Sequence, residues 1–144
     1  MSAETIFSIV GLLSIPGWIV LIFLPFWRMS DKFIIGVIIT ILAIIYAVLL
    51  FNGFHFGDLK KFNSLGGVME LFQNPMMVVA GWTHYIAFDL LTGCWIKNNG
   101  RKHGIPHLLL IPCYILNSML GPTGLLLYLI IRFASTKKYF ADNY

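Results

Sequence analysis

The chain has 144 residues, 58% of them hydrophobic and only 11% charged, with a mean hydropathy of +0.82. Soluble globular domains carry about 25% charged residues, so a water-soluble domain is excluded and a membrane chain is expected. The net charge of +4 comes with no basic groove of interleaved aromatics, so nucleic acid is not an expected partner.

Four apolar spans are expected, forming one transmembrane domain over 1–144 without internal repeat or long linker. The first, about 5–27, reads TIFSIVGLLSIPGWIVLIFLPFW. It has no basic leader and no small-residue cleavage site, so it reads as a retained helix and not a signal peptide. The second, about 33–51, follows the short loop RMSDK, which makes the first two spans an antiparallel pair. The connection NGFHFGDLKKFNSLGGVMELFQN then mixes Phe54, Phe56, Leu59 and Phe62 with Lys60 and Lys61. Such a segment lies at a membrane interface with its cations among headgroups. Glu70 falls in its last piece, which Pro75 separates from the third span, about 75–96.

The fourth span, about 105–131, is longer than the roughly 17–25 residues that cross a hydrocarbon layer about 30 Å thick. It contains Pro112 and the run NSMLGPTG. Pro122 cannot donate a backbone bond and crowds the Ser118 carbonyl, while Gly121 and Gly124 open space beside it. A kink is expected there. The fold class is therefore all-α, an integral membrane four-helix bundle with a kinked fourth helix and an interfacial segment between helices two and three.

Four crossings place Lys60, Lys61, Arg132, Lys137 and Lys138 on one side and Arg28, Lys32, Lys97, Arg101 and Lys102 on the other. The positive-inside count is then tied, and orientation stays open. Cys94 and Cys113 read as small apolar residues within spans.

The third span, MMVVAGWTHYIAFDLLTGCW, carries the unexpected groups. An Asp near the centre of a membrane helix costs about 2.5–3.5 kcal/mol on insertion scales, and such residues face a bundle interior or cavity and mark function. At about 100° per residue, Trp82, Tyr85, Asp89 and Thr92 share one sector of about 80°, which should face inward. His84 stands about 140° round from Asp89, so the two do not pair on one face. Asn117, one turn before the expected kink, can satisfy a freed carbonyl or a ligand. His103 and His107 are four apart, but Gly104 and Pro106 intervene, and there is neither HExxH nor CxxC. No metal is expected.

Taken in order, GGVMELFQNP, WTHYIAFDLLTG and GPTGLLLY resemble the neoxanthin synthase-like membrane family of the abscisic-acid-deficient-four type, which has small bacterial relatives. The resemblance covers about 5–135 in architecture, with specific matches in about 65–128. Glu70, Trp82, His84, Asp89, Gly121, Pro122 and Gly124 fit the pattern. It implies a four-helix protein of carotenoid metabolism, with a carotenoid as ligand or substrate in an intramembrane slot; no cofactor is expected. Isomerisation of an epoxide end group to an allene calls for one acid and one base. Asp89 is the expected base, with His84 or Tyr85 as donor and Glu70 as acid if its loop folds over the slot. Trp82, Tyr85, Thr92, Asn117, Gly121, Pro122 and Gly124 are expected to bind substrate. Two alternatives stand beside this: oxidative cleavage to retinal or another apocarotenal, needing dioxygen and either iron or light, and a non-enzymatic carotenoid-binding or assembly subunit. No Ser- and Arg-rich transit segment precedes the first span, so a bacterial cytoplasmic membrane is the expected location. The bilayer is the expected partner, and a homo-oligomer stays open.

Overall fold

Every apolar stretch folds as helix. A computed structural model describes residues 1–138, and no strand occurs among them. Helix α1 spans Ala3–Phe23; the Ser2 hydroxyl accepts from the Thr5 N–H to open it, and Glu4 sits in its positively polarised first turn. Helix α2, Ser30–Gly53, widens into π-helical turns over Ile34–Ile39. The Thr40 hydroxyl donates to the Ile35 carbonyl at 3.0 Å and so uses an acceptor that the widening leaves over. Both helices are long and apolar enough to cross a membrane.

Between α2 and the next long helix come a 3-10 helix, Phe56–Asn63, and the short α3, Leu65–Leu71. Asp58 Oδ2 accepts from the His55 N–H at 2.9 Å, and Lys61 reaches both Asp58 (3.0 Å) and Glu70 (3.1 Å). The His55 N–H, and after it the Lys61 ammonium, hold the Asp58 carboxyl below its ordinary range.

Helix α4, Pro75–Lys102, is the centre of the fold. Asn74 caps it, and proline suits its first turn, where the missing N–H has no partner to lose. Its Ile86 and Leu90 pack with Val10 and Leu21 of α1 and with Ile34, Ile38 and Leu42 of α2. Meanwhile Leu12, Ile19, Ile44, Val48 and Phe51 point outward and are exposed. Apolar side chains thus cover the outside while Thr83, Asp89, Lys97, Asn99 and Asn117 are buried, the reverse of a soluble protein.

The fourth apolar stretch departs from expectation. It is two helices, α5 (His107–Leu120) and α6 (Pro122–Thr136), and not one kinked span. Gly121 turns the chain at φ +34°, ψ −96°. Helix α6 then folds back along α5. Gly124 lies against the Asn117 and Cys113 backbone, and Tyr128 packs with Leu110 and Tyr114. Further along, Arg132 donates to Asn99 Oδ1 at 2.9 Å, beside the start of the hairpin. A break at Gly-Pro relieves the same lost hydrogen bonds as a kink. What selects the hairpin is the side-chain-free surface of Gly124, which lets two backbones touch.

Two polar clamps hold the end of α4. Lys97, 2% exposed, donates to Ser30 Oγ (2.6 Å) and Asp31 Oδ1 (2.5 Å), and Asn98 donates to Asp31 Oδ2 (2.9 Å). Asn99 Oδ1 accepts from Tyr128 as well as Arg132, whose guanidinium stands over the Trp95 ring. Asp31→Asn removes the charge that balances a buried ammonium, so it should destabilise the fold by about 1–3 kcal/mol. Thermal unfolding in detergent measures this; an unchanged midpoint would mean that Lys97 is balanced otherwise. Cys94 and Cys113 are buried and free, as expected of small apolar residues.

Candidate functional site

The turn of the α5–α6 hairpin meets the middle of α4 at Asp89. Asp89 is buried, and so are Asn117, Gly121 and Gly124. Asn117 Nδ2 donates to the Asp89 backbone carbonyl at 2.6 Å and pins the hairpin to α4. A methyl group placed on Gly121 would stand 2.9 Å from Asp89 Oδ1 and 3.3 Å from Tyr85 Cε2, so carboxyl, phenol ring and turn converge on one point. Among the described residues, Asp89 Oδ2 and Asn117 Oδ1 are buried with no hydrogen-bond partner. Two orphaned oxygens in an apolar setting are costly. They form a polar spot able to take a proton or a ligand's polar atom.

The expected stripe holds in part. Tyr85 stacks on Trp82 (centroids 5.6 Å apart), and Trp82 meets Phe7 of α1 at 5.3 Å. Yet Trp82 is 39% exposed, not turned inward. The reason is the hairpin's length. It reaches only to Asp89, so the α4 face beyond it has Phe7 beside it and, among the described residues, no part of the hairpin over it. The hairpin tip thus leaves a notch, a step beside α4 along which Gly121, Tyr85, Trp82 and Phe7 succeed one another in contact, with Pro122 exposed. Thr92 spends its hydroxyl on the Phe88 carbonyl (2.8 Å), which removes it from the polar spot.

Two expected catalytic groups stand elsewhere. His84 is exposed on another face of α4, its ring against Phe88 (4.6 Å) and Tyr46 (5.5 Å). Glu70 is 63% exposed and ion-paired with Lys61, and its segment does not fold over Asp89. We expect Glu70→Gln and His84→Ala to keep turnover within about tenfold of wild type, short of the 10²–10⁴ that a proton-transferring group contributes. A larger loss in a folded variant would return that residue to the chemistry. His107 uses Nε2 on the Ile22 carbonyl (2.9 Å), and no three of His, Cys, Asp and Glu converge on a metal-sized site among the described residues.

Sequence reading missed the clamps and the notch. Asp31 and Lys97 close the same side of the second and third spans with opposite charges, a signal present in the sequence. The notch had none, because it exists only where a helix stops short.

An all-helical chain with an apolar exterior and a carboxyl buried among aromatics is the class that these features define. The chain belongs to the ABA DEFICIENT 4-like family, whose model matches residues 5–128. That family is associated with carotenoid metabolism. No match was found among curated proteins or among solved structures.

Proposed function

We propose that the protein is a multi-pass membrane enzyme that isomerises or rearranges a carotenoid end group by acid–base chemistry at Asp89. The observation that carries this reading is the buried Asp89 carboxyl, one of its oxygens unpartnered, beside the aromatic run of Tyr85 and Trp82. A carotenoid is a flat apolar rod dissolved in the bilayer. With Trp82 exposed beside the hairpin tip, the end ring enters there without leaving hydrocarbon, and Trp82 and Tyr85 lie against its face. The side chain of Asp89 then meets the only polar part of such a ligand.

For an epoxide end group, the reaction balances within the substrate. One proton is delivered to the epoxide oxygen as its C–O bond opens, and one leaves the neighbouring polyene carbon to form the allene. Asp89 accepts the second proton. Tyr85, rather than the distant His84 or Glu70, is the donor beside it. Asn117 holds the Asp89 backbone in place from the hairpin. Three further points belong to this proposal and not to the fold: α4 crosses the membrane with α1 and α2, the membrane is bacterial and cytoplasmic, and no cofactor takes part.

Expression in a carotenoid-producing bacterium, followed by pigment chromatography with mass detection, tests the reading. An isomer of unchanged mass, lost in Asp89→Asn, is the expected result. Aldehydes would replace it with oxidative cleavage to retinal or another apocarotenal. Unchanged pigments with a coloured purified protein would leave only a binding or assembly role.

A further inference from the structure

We infer that the α5–α6 hairpin enters the bilayer and leaves it by the same face, and that this face is the cytoplasmic one, seated on anionic headgroups. The inference rests on the membrane reading above and adds an orientation to it. Helix α5 has 14 residues and α6 has 15. At 1.5 Å per residue each arm is about 21–23 Å long, short of the roughly 30 Å hydrocarbon layer. Their antiparallel register carries the chain back to where it started: Gly124 on Asn117 and Cys113, Tyr128 with Leu110, Arg132 on Asn99. The turn touches Asp89, which lies about 20 Å from either end of α4. An arm of this length that begins at the end of α4 therefore stops at mid-depth.

A hairpin that returns moves three cations across the count. Arg28, Lys32, Lys97, Arg101, Lys102, Arg132, Lys137 and Lys138 now share one face, and only Lys60 and Lys61 lie on the other. The expected five-to-five tie rested on a single crossing and becomes eight to two. Contacts tie that face together directly: Lys97 on Asp31, Arg101 over the Phe26 ring at 5.9 Å, His107 on the Ile22 carbonyl. Lys97 and Arg132 are buried, and leaving them out still gives six exposed cations against Lys60 and the half-buried Lys61. An excess of Lys and Arg in short loops marks the cytoplasmic side, and the exposed ones attract the anionic lipids of that leaflet. The N-terminus and the 56–71 segment then face the opposite side.

Single cysteines placed at exposed positions test this in a bacterial inner membrane: Ser2→Cys, Lys60→Cys, Lys102→Cys and Lys137→Cys. The two native cysteines are buried, and the unmodified chain controls for them. An impermeant maleimide should label positions 2 and 60 in intact cells and positions 102 and 137 only after lysis. Labelling of 102 and 137 from opposite sides would overturn the hairpin, although the membrane reading would stand. A uniformly reversed pattern would overturn the cytoplasmic assignment. A chain released from membranes by alkaline carbonate would remove the membrane reading and this inference with it. A C-terminal reporter active only in the periplasm should be silent, and activity there would overturn the placement of the tail without any substitution.

Discussion

Asp89→Asn should lower turnover by about 10²–10⁴, the usual contribution of a positioned proton-transfer group, while leaving the fold intact. Asparagine keeps the volume and one carbonyl oxygen of the side chain, and the Asn117 bond goes to the backbone of residue 89, which the substitution does not touch. The amide even removes a buried ionisable group, so the thermal midpoint should hold or rise. Asn117→Leu should behave differently. It deletes the bond from the hairpin tip to the Asp89 carbonyl, so stability and turnover should fall together. Pigment chromatography beside thermal unfolding separates the two patterns. Full turnover in Asp89→Asn would mean that the carboxyl is structural and that the notch works, if at all, by binding.

Helical spacing was enough to place Asp89, Tyr85 and Trp82 along one side of the third apolar stretch, because that relation is internal to one helix. It also separated His84 from Asp89, and the structure keeps them apart. What spacing cannot supply is which helix ends where. Pro122 and its glycines break a helix equally well into a bend or a hairpin, and the local chain energetics are alike. The choice is made by contacts between Gly124 and residues seven or more positions earlier, and by Arg132 and Tyr128 finding Asn99 on α4. Glu70 shows the same limit from another side: its reach towards Asp89 depended on how an interfacial loop folds. Lys61 holds it at the outer surface instead. The count of cations shows the consequence, since the same ten residues read as tied or as strongly one-sided according to that single tertiary choice.

The second large effect is expected at the hairpin itself, where Gly124→Ala and Gly121→Ala should fail in different ways. A methyl group on Gly124 would overlap the backbone of Asn117 and Cys113. Backbone cannot rotate aside as a side chain can, so the two helices must part and lose the packing of Tyr128 with Leu110 and Tyr114. Overpacking of this kind costs about 1–3 kcal/mol and occasionally more, and the thermal midpoint should fall accordingly. Gly121 faces a different constraint. Its φ of +34° is one that L side chains rarely adopt, at a cost of roughly 1–3 kcal/mol, and its methyl would press on Asp89 Oδ1. Gly121→Ala should therefore displace the carboxyl and cut turnover by more than its loss of stability explains. Gly124→Ala should lose activity only in proportion to the unfolded fraction. An unchanged midpoint in Gly124→Ala would mean that the helices do not touch there, and the notch beside Asp89 would have to be given up.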